Sequence, residues 1–125
     1  MAPRVPRPAP ASPALCTMHT VGAKTGRART NGLVYGRDGE RYLVVPSNGG
    51  AARAPGWYHN VRARPECEIQ IGTDRRDAIA SMVTREDPDF ERLWKIVNSV
   101  NHNRYDAYQK ATERPIPIVV LTPTA

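Results

Sequence analysis

The chain has 125 residues, 40% hydrophobic and 24% charged, with a formal net charge of +6, which indicates one globular domain. No apolar run approaches the roughly 18 residues that span a bilayer, and the N-terminus lacks the apolar segment of a secretory signal, so we expect a cytoplasmic protein. Cys16 and Cys67 have no metal-ligand spacing, which predicts reduced thiols and no metal site.

The first part of the chain predicts three strands after a proline-rich start. Residues 1–13 contain five prolines, and because proline opposes regular structure we expect them to form a disordered tail. Residues 14–125 are the predicted domain. Within it, residues 14–20, 30–37 and 41–46 have the pattern of strands, and the tight turn Asp38-Gly39 joins the last two.

The middle of the chain predicts a helix and a hairpin. Pro55 suits the first turn of a helix that ends before Pro65. Residues 66–71 alternate between apolar and polar side chains, which is typical of a half-buried strand. A turn at residues 73–74 then leads to an antiparallel strand over residues 77–84.

The last part predicts two helices and a final strand. Asp87-Pro88 marks the start of an amphipathic helix, and a shorter helix covers residues 103–111. Residues 116–122 are continuously apolar, as in a strand at the middle of a sheet. The fold class is therefore mostly β (α+β): a barrel of about six mainly antiparallel strands with inserted helices.

The loop over residues 22–31 is the segment best suited to a ligand. It places Lys24, Arg27 and Arg29 close together, and Gly22 and Gly26 give its backbone freedom to close around a phosphate. Such cations can also form an ordinary solvated loop. We favour an anion site, because the guanidinium fork matches phosphate oxygens.

A second loop, Ser47-Asn48-Gly49-Gly50, can offer backbone N–H groups and a hydroxyl to an anion. Alone, this run is more often a simple turn. Its interpretation as part of a site gains from Pro55 and Trp57 behind it, which could form the wall of a pocket for a flat ring. We expect the two loops to meet at one end of the barrel.

Tyr105 and Tyr108 lie on one face of the last helix, where they could cover the barrel or orient a substrate oxygen. The sequence has no Ser-His-Asp signature, HExxH, Walker loop or GxGxxG. It also has no recognition-helix pattern, zinc finger or aromatic platform, so we expect no nucleic-acid partner despite the basic charge.

The ordered set of motifs resembles the deazaflavin-dependent nitroreductase family, the split β-barrel reductases that use coenzyme F420. The resemblance covers about residues 15–123. The motifs that carry it are residues 22–31, Asp38-Gly39, residues 47–50, residues 55–60, Pro65, residues 105–108 and residues 112–121.

The resemblance implies hydride transfer from F420H2 to an electron-poor small molecule such as a quinone, an activated alkene or a nitro compound. Lys24, Thr25 and Arg29 would hold the phosphate and acidic tail of the cofactor. Tyr105, Tyr108 and Ser47 would act on the substrate. The full implied cofactor site is Ala23, Lys24, Thr25, Arg29, Thr30, Asn31, Gly32, Leu33, Val45, Pro46, Ser47, Asn48, Gly56, Trp57, Tyr58 and Asn60.

Two alternatives stay open at this point: the same barrel with FMN, and a non-catalytic module that binds a small molecule or nucleic acid. The oligomeric state is also open, a homodimer included. Family members commonly have an amphipathic N-terminal helix where this chain has its prolines, so we expect no membrane association. Gly32, Asn48, Gly56 and His102 replace residues common in the family, and these differences bear on the substrate more than on the cofactor.

Overall fold

The computed structural model describes residues 14–124, so the expected disorder of residues 1–13 lies outside it. The strands are β1 (Leu15–Val21), β2 (Ala28–Val34), β3 (Gly36–Asp38), β4 (Arg41–Val44), β5 (Glu66–Ile71), β6 (Asp74–Val83) and β7 (Ile118–Pro123). The helices are α1 (Gly56–Ala63), α2 (Phe90–Val100) and α3 (Arg104–Lys110), with a 3₁₀ turn at Asn48–Gly50.

The seven strands form one sheet in the order β2-β1-β5-β6-β7-β4-β3, and every neighbouring pair is antiparallel. The edge strands β2 and β3 are separated in the chain only by Tyr35. Because two Cα–Cα steps span at most about 7.6 Å, the two edges come together and the sheet curls into a barrel. The predicted barrel is confirmed, but the predicted strand over residues 30–37 is divided at Tyr35, which raises the number of strands to seven.

Two hydrophobic clusters share the strands β4 and β7. Tyr42 and Val119 belong to the cluster inside the barrel, with Trp57 of α1. Leu43 and Val120, the next residue along each strand, pack with α2 and α3 outside it. Both faces of these strands are therefore buried, which explains why residues 116–122 are continuously apolar. β7 lies between β6 and β4, as predicted for a central strand.

Some predicted boundaries were wrong by a few residues. The two hairpin turns fall at residues 39–40 and 72–73, because Asp38 pairs with Arg41 and Ile71 pairs with Asp74. α2 begins at Phe90, since the Asp87 carboxylate accepts the Asp89 N–H at 2.9 Å and forms a separate turn. Within residues 14–124, no helix is long and apolar enough to cross a membrane.

Candidate functional site

The basic loop between β1 and β2 is closed by its own hydrogen bonds. The Gly22 N–H donates to the Arg27 carbonyl oxygen at 2.7 Å, and the Gly26 N–H donates to the Gly22 carbonyl oxygen at 2.9 Å. The Arg27 N–H also donates to the Thr25 hydroxyl oxygen at 3.2 Å. Gly26 has a φ of 69°, which glycine adopts without strain. The three cations of the loop are exposed, and none forms an ion pair with another described residue.

Asn60 connects this loop to helix α1. Its Oδ1 accepts the Ala23 N–H at 3.0 Å, and its Nδ2 donates to the Thr20 hydroxyl oxygen at 3.1 Å. The Asn60 side chain thus joins the end of β1, the loop and the helix that carries Trp57. This role is structural, and a direct contact between Asn60 and a cofactor stays a prediction.

Strand β2 leads from the loop into the site. In its pairing with β1, Arg29, Asn31 and Leu33 lie opposite residues of β1 that are all buried inside the barrel. Because side chains alternate along a strand, these three share the inner face, and Arg29 lies about 7 Å along the strand from Asn31. Thr30 faces the other way, where its Oγ1 is 3.0 Å from Nδ1 of His19.

A cleft of about 470 Å³ lies beside β2, within the range of about 300–1,000 Å³ typical of small-molecule sites. The lining residues that the sequence also predicted are Asn31, Gly32, Leu33, Val45, Ser47, Asn48, Trp57, Tyr105 and Tyr108. Gly49 of the second loop and Pro55 beside Trp57, which the sequence analysis also named, belong to the lining as well, and the lining residues that it missed are Val34, Asn101 and Arg104. The structure therefore brings together the second loop, the start of α1, β2 and the tyrosine helix.

The other predicted cofactor residues are not in the lining of this cleft: Ala23, Lys24, Thr25, Arg29, Thr30, Pro46, Gly56, Tyr58 and Asn60. Most of them belong to the basic loop and to the adjoining parts of β2 and α1. Tyr58 lines a different pocket, beside Arg62 and Arg114. Its predicted cofactor contact finds no support in the shape of the cleft.

The loop at Ser47 is held by Arg114, to which the sequence analysis gave no role. Its Nη2 donates to the carbonyl oxygens of Ser47 at 2.8 Å and Pro46 at 3.2 Å, and its Nε donates to that of Ala51 at 3.0 Å. Within the loop, the Gly50 N–H donates to the Ser47 carbonyl oxygen at 2.9 Å. Some backbone N–H groups of the predicted anion nest are therefore already used.

Helix α3 is fixed to α2 by one carboxylate. Asp106 accepts the indole N–H of Trp94 at 2.8 Å and the Nδ2 of Asn98 at 2.8 Å. The Asp106 N–H donates back to the Asn98 Oδ1 at 3.2 Å. This network sets the position of the neighbouring Tyr105 and of Tyr108, whose rings meet edge to face with centroids 6.1 Å apart.

Tyr105 is 5% exposed, and its hydroxyl forms no hydrogen bond with another described residue. Burial, and then the nearby Tyr108 and Cys16, raise the pKa of Tyr105 to about 12. The phenol therefore keeps its proton at physiological pH, so it can donate a hydrogen bond but cannot act as a base.

The site fits a flat, negatively tailed cofactor. A Cβ atom built on Gly32 would meet nothing within 4 Å, so a ring system can lie against the backbone there. β2 is an edge strand, and the polar groups along a free edge can bind the rim of such a ring. Of the unpaired cations of the loop, Arg29 lies further along the same strand and Lys24 and Arg27 precede it in the chain, and all three suit the anionic tail.

Comparison with known proteins decides the family. The family model for the F420H(2)-dependent quinone reductases matches residues 3–123. The chain belongs to this family. An F420H(2)-dependent quinone reductase of Mycobacterium tuberculosis (strain H37Rv) is 53% identical over 113 residues, which are 90% of this chain and 76% of the relative.

Two solved structures have a similar three-dimensional fold. An F420-H2 dependent reductase (FDR-A) superposes with a TM-score of 0.77 at 31% identity, covering 86% of this chain and 93% of the other. A structure described as a domain-swapped dimer has a TM-score of 0.76 at 31% identity, covering 86% of this chain and 79% of the other. The predicted split-barrel fold, the enzyme class and the dependence on F420 are confirmed at the level of the family.

Proposed function

We propose that this quinone reductase family member holds the flat head of F420 in the cleft and its anionic tail on the basic loop. The observation that carries the proposal is the orientation of the side chains of strand β2. Arg29 lies on the same face as Asn31 and Leu33, which line the cleft. Lys24 and Thr25 complete the tail site from the loop. Since the Thr30 side chain faces away, it contributes only its backbone.

When bound, the reduced deazaflavin supplies a hydride to a quinone, and the protein orients the two molecules. Acceptance of the hydride leaves negative charge on a quinone oxygen. Ser47, Tyr105 and Tyr108 line the same cleft, and their hydroxyls donate hydrogen bonds to that oxygen. Because Tyr105 stays protonated, it is a donor throughout the physiological pH range.

Spectroscopic titration with oxidised F420 and with FMN tests the cofactor site. We expect F420 to bind more tightly, and reduced F420 to be oxidised by quinones. A panel of quinones, enones and nitro compounds then ranks the acceptors, with quinones expected to be fastest. Preferential binding of FMN, or reduction of enones alone, would contradict the proposal.

We also propose that the protein forms a homodimer, on the basis of the domain-swapped dimer among its structural neighbours. Light scattering on the purified protein at several concentrations should give twice the mass of the chain. A monomer at all concentrations would contradict this part of the proposal without affecting the cofactor site.

A further inference from the structure

The connection between α2 and α3 supplies two cleft residues, Asn101 and Arg104, to which nothing above assigns a role. Asn101 is only 5% exposed. Its backbone is fully engaged, because its N–H donates to the Asn98 carbonyl oxygen at 3.2 Å and its carbonyl oxygen accepts the Arg104 N–H at 3.1 Å. Its side-chain amide, in contrast, forms no hydrogen bond with any residue of the 14–124 range.

Among the described residues, the only fully buried side-chain polar atom without a partner is Nε2 of His19, so the Asn101 amide reaches the cleft, where water or a ligand can bind it. Ser47, on the other side of the same cleft, is 7% exposed, and its hydroxyl also lacks a partner among the described residues. The cleft thus contains two largely buried residues whose side-chain polar atoms open into it and have free hydrogen-bonding capacity. Both are positioned to serve a polar molecule that enters it.

Arg104 contributes a positive charge to the lining of the cleft. It is the only ionised side chain in the lining of the cleft, as far as the described residues show, and it forms no ion pair among them. The nearest acid in sequence, Asp106, already binds Trp94 and Asn98. Arg104 is exposed, and a guanidinium without a carboxylate partner, in the same cleft lining as an amide donor, is a favourable environment for an anionic oxygen.

We propose that Asn101 and Arg104 bind a negatively charged oxygen of the acceptor, so that the enzyme prefers quinones that carry an anionic oxygen substituent. This inference rests on the proposed function and specifies its substrate class. In the reaction, the hydride brings one hydrogen and two electrons to the quinone and leaves a hydroquinone monoanion. A proton from solvent completes the hydroquinone. Asn101 and Arg104 hold the anionic substituent throughout, while the hydroxyls of Ser47, Tyr105 and Tyr108 donate to the oxygen of the monoanion.

The test compares two ligands of nearly equal size, 1,4-naphthoquinone-2-sulfonate and 1,4-naphthoquinone-2-sulfonamide. Their affinities are measured by calorimetry on protein saturated with oxidised F420, which cannot transfer a hydride. The native protein should bind the sulfonate more tightly. Arg104→Gln should weaken sulfonate binding about tenfold or more and leave sulfonamide binding unchanged. Arg104→Lys should keep part of the preference.

Arg64→Gln is the control, because it removes one exposed cation outside the cleft lining, and it should leave both affinities unchanged. Equal affinity of the native protein for the two ligands would overturn the inference. The proposed function would still stand in that case, provided that the protein binds F420. An Arg104→Gln variant that loses F420 affinity and keeps its sulfonate preference would also overturn the inference. If F420 itself does not bind, the proposed function fails, and the inference fails with it.

Discussion

At the scale of single residues, the two tyrosines differ in environment. Tyr105 is buried between Trp94 and Tyr108, with ring centroids 6.1 Å from each, whereas Tyr108 is half-buried. Both line the cleft. Their hydroxyls are the groups that the proposed chemistry needs, and their rings pack in the hydrophobic cluster that lies outside the barrel.

Replacing Tyr105 or Tyr108 by phenylalanine should lower turnover roughly tenfold or more and leave F420 affinity nearly unchanged. The reason is that each hydroxyl donates mainly to the charge that develops on the quinone oxygen. Steady-state kinetics and F420 titration of each variant measure the two effects separately. Unchanged turnover in both variants would leave the tyrosines with a packing role only.

The sequence showed the loop cations because they are close together in the chain, and it showed the tyrosines because they share a helix face. It missed Asn101, Arg104 and the role of Arg114, since each depends on a contact between distant segments. Arg114 reaches residues 46–53 across more than sixty positions. The one local signal for Arg104 was its position in the sequence, since it is a cation directly before the predicted site residue Tyr105.

At the scale of elements, Arg114 fixes the loop that carries Ser47. Arg114→Ala should lower the free energy of unfolding by about 2–4 kcal/mol, because it leaves several carbonyl oxygens without their charged donor. F420 affinity should fall as well, since Ser47 and Asn48 lose their support. Arg114→Lys should recover part of the stability. Urea unfolding and F420 titration give both quantities, and native-like values for Arg114→Ala would refute the positioning role.

The 3₁₀ turn packs against α3 without room for a side chain. A Cβ on Gly50 would lie 2.8 Å from the Tyr108 carbonyl oxygen, whereas a Cβ on Gly49 would meet nothing within 4 Å. Both residues have positive φ, 83° and 64°. Gly49→Ala should therefore cost only backbone strain of about 1–2 kcal/mol, and Gly50→Ala should cost an additional 1–3 kcal/mol or so. Equal losses in urea unfolding would show that the contact between turn and helix is loose.

Element types could be predicted where hydrophobic periodicity was strong, as in α2, whose start was placed too early, and in β5, whose predicted bounds the structure reproduces. The division of the predicted strand at Tyr35 could not be predicted, because residues 30–37 are a suitable strand sequence throughout. The division follows from closure of the barrel, where the chain crosses from one sheet edge to the other. That is a property of the whole sheet.

At the scale of the whole molecule, the thiols of the buried Cys16 and the half-buried Cys67 make stability sensitive to alkali. Burial raises the pKa of Cys16 and of Cys67 to about 11, with Asp77 and Glu66 adding to the shift at Cys67. Unfolded cysteine ionises near 8.5 (approximate value). Because the folded protein holds these protons more tightly, stability is full below about pH 8.5 and falls as pH rises through about 11.

Urea unfolding under reducing conditions should therefore show a free energy that decreases from about pH 8.5 upward. Cys67→Ala removes one of the ionising groups, so its decrease over the same range should be shallower. Between about pH 6 and 8, the free energy of unfolding should depend on pH in the same way in both proteins, because neither thiol ionises there. A native protein that gains stability with rising pH would contradict the assignment.

The barrel also explains how separate segments form one site. β2 joins the loop to the cleft, Asn60 ties the loop to α1, and Arg114 ties the second loop to the approach to β7. We propose that the cations of the loop and the hydroxyls of the cleft, which come from distant parts of the chain, form one continuous binding strip. The central claim is that this strip binds the anionic deazaflavin.

The most direct test is an F420 titration of the variant Lys24→Ala/Arg29→Ala. Its matched control is Lys95→Ala/Arg64→Ala, which removes the same charges from exposed positions outside the loop. We predict that the loop variant keeps the native unfolding free energy but binds F420 roughly a hundredfold more weakly, while the control binds normally. Native affinity in the loop variant, or an equal loss in the control, would contradict the account.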